Sequence, residues 1–352
     1  MPEFFEKYPG SEMEEEKFKK NIYGNEKFPP EKAKEHLDAL LAGFKEHFFS
    51  LGYHEETPVL ITSGIDSSVR FIGSHISVFK PYLIQERIPN PGIFMRQNCL
   101  RTRNADKLLE DSFALGWGSY FTSLGAIAPA ERLKETCVDT FNFFKKQLNI
   151  SPENILIRIN SSDDDLVEAC RENLNDENLE FDKEKEEYYK HKIGVEGISG
   201  RSFNIALRNS DGKGFADVGN IILLSNNKKI LGVELALGSS TILKELYGLD
   251  HVLDCSPVIG LENIDNNLRR KFEDAIITSV VLFNEGLRPF GKHNRNRILK
   301  QYLKALAYFK MKSGIDFEKL SEIITGFEKR EFPDSEDRLS GLIIEIIKTY
   351  ET

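Results

Sequence analysis

The side chains best equipped for chemistry in this chain are a basic block near one end and five short segments whose order says more than any one of them. Arg288, Lys292, Arg295, Arg297, Lys300, Lys304, Lys310 and Lys312 give the stretch 286–312 a charge of +8 with no acidic residue. Such a block is either a solvated helix face or the footprint of a polyanion. The segments are Phe-Lys-Pro-Tyr at 79–82, Gln-Asn-Cys-Leu-Arg at 97–101, Phe-Thr-Ser-Leu-Gly at 121–125, Val-Gly-Asn at 218–220 and Gly-Val-Glu-Leu-Ala-Leu-Gly at 232–238. Several chemistries have no sequence support. There is no G-x-x-x-x-G-K-[ST] phosphate loop, no G-x-G-x-x-G after a strand and no G-x-S-x-G elbow. The seven His form no H-x-x-x-H, H-E-x-x-H or H-x-H pair, which argues against a zinc hydrolase and predicts no metal site. Cys99, Cys137, Cys170 and Cys255 are too widely spaced for a metal knuckle or a small disulfide framework and read as reduced thiols.

The elements that must carry these segments follow from the apolar spacing. A polar leader runs to about residue 30. Pro29 and Pro30 then open a helix in which Leu37, Leu40, Leu41, Phe44 and Phe48 share one face, and Gly52 ends it. Short apolar bursts at 59–62, 76–79, 93–100, 119–124, 155–159, 203–207, 218–224 and 230–237 read as strands, and 129–148 as a helix. Asn226, Asn227, Lys228 and Lys229 read as a hairpin turn. Beyond about Gly260 the spacing becomes helical at 268–283, 298–309, 317–327 and 339–350, with Asp316 and Ser335 as N-caps. The fold predicted is α+β: an antiparallel sheet flanked by helices (31–258), then a helical domain (259–352) that carries the basic block.

With 352 residues, 29% charged, 40% hydrophobic, 25 Gly and 13 Pro, the chain is neither disordered nor collagen-like and has room for two domains. No apolar run approaches the ~18 residues of a membrane span, and the acidic start does not suit a signal peptide, so a soluble cytoplasmic protein is expected. The net charge of −9 is unevenly placed: 163–187 alone holds twelve acidic and three basic residues. That window predicts an exposed acidic insertion at about 161–190, with Tyr188 and Tyr189 at its return.

The order of segments resembles the catalytic core of alanyl-tRNA synthetases, a class II aminoacyl-tRNA synthetase family, over about 33–312. Phe48, Phe49, Gly52 and Tyr53 resemble the end of the family's first helix. Phe79 to Tyr82 repeat its Phe-Lys-Pro-Tyr, and Gln97, Cys99, Leu100 and Arg101 its Gln-x-Cys-(Val/Ile)-Arg. Tyr120 to Gly125 look like Phe-Phe-Glu-Met-Leu-Gly, Gly219 to Leu223 like Trp-Asn-(Ile/Leu)-Val-Phe, and Val233 to Thr241 like Val-Asp-Thr-Gly-Met-Gly-Leu-Glu-Arg. The basic helix of the family has a counterpart in Arg295 and Arg297.

The resemblance implies an enzyme that joins ATP and a small amino acid into an aminoacyl-adenylate and passes it to tRNA or another acceptor, with magnesium. Arg101 would hold the α-phosphate, where charge builds as pyrophosphate leaves. Phe121 would stack on adenine, and Gly238 would lie against ATP. Asn220 and Glu234 would bind the amino acid, Glu234 taking its ammonium. Arg295, Arg297 and Lys300 would meet acceptor phosphates. Each has a plainer reading: Arg101 as a surface partner of Glu110, Phe121 as core, Glu234 as a solvent-facing strand residue.

The departures are equally specific. The family's closing Arg is Thr241 and the Glu before it Ser240, with Lys244 the nearest cation after them. Its Lys-His-Asn is Ala105-Asp106-Lys107, its Arg-His-His is Gly116-Trp117-Gly118, and the Trp of its alanine pocket is Gly219, which predicts a larger pocket. Each lost cation costs about 2–4 kcal/mol of transition-state stabilisation. No editing zinc set is visible, so hydrolysis of mischarged tRNA is not expected. The alternative is a degenerate paralogue that binds RNA, a ligand or a protein.

Overall fold

The computed structural model describes residues 21–24, 28–335 and 338–351. Most of the polar leader lies outside the described residues. Pro30 sits in a 3-10 turn that leads into α1 (Ala33–Ser50), and Gly52, at φ +83°, turns the chain out of it. Next come β1 (His54–Glu55), α2 (Ile76–Ile84), β2 (Ile93–Leu100), β3 (Tyr120–Pro129) and α3 (Leu133–Gln147). They are followed by β4 (Ile155–Ile159), α4 (Asp164–Arg171), β5 (Leu179–Phe181), β6 (Lys190–Lys192), β7 (Ile198–Arg208), β8 (Phe215–Asn226), β9 (Ile230–Gly238) and α5 (Ser239–Tyr247). Four helices close the chain: α6 (Asn266–Asn284), α7 (Asn294–Ser313), α8 (Phe317–Glu331) and α9 (Ser340–Lys348). The architecture is the predicted α+β one, a sheet flanked by helices and followed by a helical module.

The strands form one sheet in the order β1-β2-β3-β9-β8-β7-β4-β5, with β6 on β7. Only β1 with β2 and β4 with β5 run parallel; the other pairs are antiparallel. Period-two alternation gives the sheet two different faces. Leu124, Ala126, Val233, Leu235, Ile221 and Phe203 point to one side, where they pack with Phe44, Phe48, Phe143 and Phe144 of α1 and α3. Burying each such aromatic contributes about 2–3 kcal/mol. On the other side Val78, Phe79 and Leu83 of α2 cover Met95, Ile127, Ile222 and Leu224, and His75 at the start of that helix covers Gly125. The helical module has its own core around Phe272, Tyr302 and Phe327, which also takes in Leu100 at the end of β2 and Leu108 and Leu115 from the β2–β3 connection.

Two bursts expected as strands are not strands. Residues 76–79 open helix α2, whose turn brings Ser77 and Lys80 to the same buried carboxylate: both reach Asp66 Oδ2, at 2.7 and 2.6 Å. Four residues are too few to separate a period of 3.6 from one of 2. Residues 59–62 are held by side chains instead of a neighbouring strand. Val59 exchanges two hydrogen bonds with the Gln97 amide, and the Glu285 carboxylate accepts from Ile61 N and Thr62 N.

The acidic window keeps most of its carboxylates exposed, 181–188 throughout, but it is built of regular elements with a buried apolar side. It builds α4, with Leu166, Val167 and Cys170 buried, and the edge strand β5. Its charges meet local partners, such as Asp163 and Asp165 with Arg201. Asp316 caps α8 by accepting from Lys319 N, whereas α9 starts after Leu339, leaving Ser335 in the preceding turn. The expected hairpin turn is present: Asn226 Oδ1 accepts from Lys228 N and Lys229 N. Among the described residues no helix is long and apolar enough to cross a membrane.

Candidate active site

Beside the part of the second sheet face that α2 covers lies a cavity of about 270 Å³, a size suited to a small ligand. Strand β3 supplies Tyr120, Phe121 and Ser123, β8 supplies Asp217 to Asn220, and β9 supplies Ala236 to Gly238. Ser240 and Thr241 of α5 close one end; Ser74, Arg101, Trp117, Gly118 and Val252 form the rim. Arg101, Phe121, Asn220 and Gly238, which the sequence places in four separate segments, therefore meet at one site.

Arg101 follows β2 directly and faces back across the hairpin. Its guanidinium carbon stands 4.8 Å from the centroid of the Phe121 ring, and its Nε donates to Gly73 O at 3.0 Å. It does not turn outward to Glu110, whose carbonyl instead accepts from Lys271. Phe121 is half-buried with its face in the cavity, not sealed in the core. Arg101 is the one Lys or Arg side chain that lines the cavity among the described residues.

The polar wall of the cavity escaped sequence reasoning. Asp217 lines it and is held by Arg158, by the Tyr188 hydroxyl and by Asn204 Nδ2, the last at 3.1 Å. Burial, then the bond to Asp217, pushes the Tyr188 hydroxyl well above its ordinary pKa, so it stays a donor. Tyr188 comes from the acidic window, and its Tyr-Tyr pair was the one visible signal.

Glu234 lies on the cavity face of β9, two residues before Ala236, and is buried at 2% exposure. It does not line the cavity. Its Oε1 is 3.0 Å from His75 Nε2, in a contact not aligned as a hydrogen bond, and His75 Nδ1 is 2.8 Å from Ser123 Oγ. The ring of His75 lies over Gly125, where a Cβ would stand 2.2 Å from it. Glu234 Oε2 has no hydrogen-bond partner, a costly state for a buried carboxylate oxygen. The solvent-facing alternative for Glu234 is thereby removed.

At the other end, Thr241 Oγ1 bonds to Gly238 O at 2.8 Å, and a Cβ on Gly238 would stand 2.7 Å from it. Lys244 does not take the place of the family's cation: its Nζ pairs with Glu245 at 2.7 Å, away from the cavity. Gly219 lines the cavity, but a Cβ there would stand 2.3 Å from Ala236 O. Strand β8, just past the bulge opposite Ile205, runs too close to β9 for any side chain at this point, so its backbone and not a deleted Trp shapes the wall.

The basic block divides. Arg295 is engaged in the structure, its Nη1 bonding to Thr62 O at 2.5 Å and Nη2 to Ser63 O at 3.0 Å, with Nε on Arg70 O. Arg297 and Lys300 line a second cavity, about 400 Å³, together with Arg70, Lys304 and Gln301. Asp106, its one acidic residue, accepts from Gln301.

The described residues offer magnesium no prepared site. No group of three or more His, Cys, Asp or Glu among the described residues is placed to hold a metal. Asp217 is engaged by Arg158 and Glu234 lies behind the cavity, so the residues present do not fit a protein-held ion.

No family model matches the chain, and no curated protein matches it. Solved structures do. The chain is similar to PylSc, a pyrrolysyl tRNA synthetase of Desulfitobacterium hafniense, at 12% identity over 61% of this chain and 69% of that one, TM-score 0.37. It is similar to the RNA binding domain of threonyl-tRNA synthetase from Cryptosporidium parvum at 11% identity, over 62% of this chain and 65% of that one, TM-score 0.43. It is also similar to the apo histidyl-tRNA synthetase of S. aureus at 11% identity, over 80% and 88%, TM-score 0.42. All three carry the name of an aminoacyl-tRNA synthetase, and none is an alanyl enzyme. At these identities the likeness is one of element arrangement and says nothing of reaction or substrate.

Proposed function

We propose that the chain is an alanyl-tRNA-synthetase-like, class II amino-acid-activating ligase, which forms an aminoacyl-adenylate from ATP and a small amino acid and passes it to tRNA or another acceptor. The observation that carries this reading is the Arg101–Phe121 pair at the mouth of a small cavity. A purine takes the Phe121 face that the guanidinium now covers, and the displaced guanidinium meets the α-phosphate at the end of the same hairpin. There it offsets the charge that builds as the amino-acid carboxylate attacks phosphorus and pyrophosphate departs. Asn220 lines the amino-acid end. Glu234, the expected ammonium ligand, is buried behind the cavity against His75, so on this reading its carboxylate acts on the amino acid only through the His75–Ser123 contact, Ser123 being the member of that row that lines the cavity. Magnesium would arrive on the ATP phosphates. The reading of Arg297 and Lys300 as contacts for acceptor phosphates is supported by the basic cavity they line, while Arg295 is used on the carbonyls of Thr62, Ser63 and Arg70.

A second reading is favoured by Thr241. With its hydroxyl on Gly238 O and Arg101 the one lining cation, no second cation among the described residues lines the cavity to grip a terminal phosphate. On that reading the chain is a degenerate paralogue that binds a ligand, RNA or a protein without adenylation. Amino-acid-dependent ATP–pyrophosphate exchange separates the two. Exchange with one small amino acid supports the ligase. Saturable ATP binding without exchange for any of the twenty common amino acids supports the paralogue.

A further inference from the structure

We propose that Asp274, on α6 of the helical module, is a positioning residue for the cavity hairpin: it holds Ser119, and through Ser119 it fixes Arg101 and Phe121. The helical module is then part of the site's own construction, in addition to any role in docking an acceptor. This rests on the ligase reading for what the hairpin does, though not for where the hairpin is.

Asp274 is fully buried, and no cation pairs with it among the described residues. Its carboxylate is satisfied by the hairpin: Ser119 N donates to Oδ1 at 2.6 Å and Ser119 Oγ to Oδ2 at 2.7 Å. Because the Ser119 hydroxyl proton is used on Asp274, the Tyr302 hydroxyl, 2.9 Å away on α7, donates to Ser119 Oγ. The carbonyl of Ser119 in turn accepts from Arg101 N at 2.9 Å. One serine thus links two helices of the module to the backbone of the cavity's one cation. Asn104 Nδ2 secures the neighbouring turn through Trp117 O at 3.0 Å.

Apolar contact alone would join the two parts, since Leu100, Leu108 and Leu115 already lie in the module's core. Apolar contacts tolerate sliding, whereas two hydrogen bonds to one carboxylate set a register. Leaving that carboxylate without its donors in a buried place is costly, so the hairpin is strongly favoured in the one position that satisfies it. A hairpin displaced by an ångström takes Arg101 and Phe121 with it, and such displacements slow catalysis steeply.

Trp117 is the only Trp of the chain and lies on this hairpin at the cavity rim, so its fluorescence reports hairpin position without reference to any activity. The test compares Trp117 anisotropy and acrylamide quenching in the full-length wild type, Asp274→Asn and Tyr302→Phe, well below the unfolding midpoint, with far-UV circular dichroism as the control for folding. Both variants should lower the anisotropy and raise the quenching, Asp274→Asn more. With ATP as the probe, Asp274→Asn should raise the half-saturation of Trp117 quenching roughly tenfold, the equivalent of one charged hydrogen bond. Wild-type Trp117 signals in folded Asp274→Asn, or in Tyr302→Phe should Asp274→Asn not fold, would overturn the proposal. A wild type whose Trp117 ignores ATP counts against the nucleotide reading and leaves the comparison of hairpin mobility to decide this one.

Discussion

The guanidinium of Arg101 lies over the ring of Phe121, 4.8 Å from its centroid, although twenty positions separate them in the chain. The β2–β3 pairing makes this contact. Cys99 is opposite Phe121 and Leu100 opposite Tyr120, so the residue after the last pair returns over the ring. A cation and an aromatic face are thereby held within the length of one nucleotide.

Replacing Phe121 by Ala should weaken ATP binding by about 1–3 kcal/mol, the worth of one base–aromatic stack, or roughly 5- to 150-fold. Titrating Trp117 fluorescence with ATP measures it. Because Phe121 is half-buried at the cavity and not in the core, the melting temperature should change little; an unaltered ATP affinity would return Phe121 to a packing role.

Neutralising Arg297 and Lys300 together should flatten the salt dependence of RNA binding by about 1.4 in log–log slope, two phosphate contacts at ~0.7 each. Arg295→Ala should behave differently. It removes three bonds to the carbonyls of Thr62, Ser63 and Arg70 and should lower stability by about 2–3 kcal/mol, with the salt slope unchanged. Chemical denaturation and filter binding at several salt concentrations separate the two effects.

Burial, set against the Ser119 hydrogen bonds, raises the Asp274 carboxyl to about 6. The groups facing it are Ser119 and Asn104 from the hairpin and Tyr302 from α7, with Asp106 acting on Tyr302. The folded chain keeps this proton where the unfolded chain has released it, at about 4. Stability from this group is therefore present at low pH and lost as pH rises from about 4 through 6. Relative to the wild type, Asp274→Asn should gain about 3 kcal/mol over that window. Urea denaturation of both proteins at pH 3 and 7 reads it; a difference that stays constant with pH contradicts it.

Much of the scaffold was legible because the pattern is local. The run 155–159, apolar but for Arg158 and bounded by turn residues, is β4 to the residue, and the spacing of Leu37, Leu40, Phe44 and Phe48 marks the buried face of α1. Bursts of four residues carry no period, which is why 76–79 and 59–62 read as strands. In the site, Arg101, Phe121, Asn220 and Gly238 were legible through the order of their segments. Asp217, His75 and Ser123 were not, because each depends on partners brought from elsewhere: Arg158 and Tyr188 for Asp217, and α2 lying on Gly125 for His75. The division of the basic block was also invisible. Arg295 and Arg297 stand two apart on a helix, and only the packing of 62–70 against α7 separates a structural cation from a free one.

The central claim is that this cavity joins an amino acid to ATP with Arg101 on the reacting phosphate. The most direct measurement is exchange of labelled pyrophosphate into ATP by the wild type and Arg101→Ala, each with a panel of small amino acids. The account predicts exchange that depends on one amino acid in the wild type and falls by about 2–4 kcal/mol of transition-state stabilisation, some 30- to 1,000-fold, in Arg101→Ala. Exchange that survives Arg101→Ala at the wild-type rate, or that no amino acid elicits from the wild type, would contradict it.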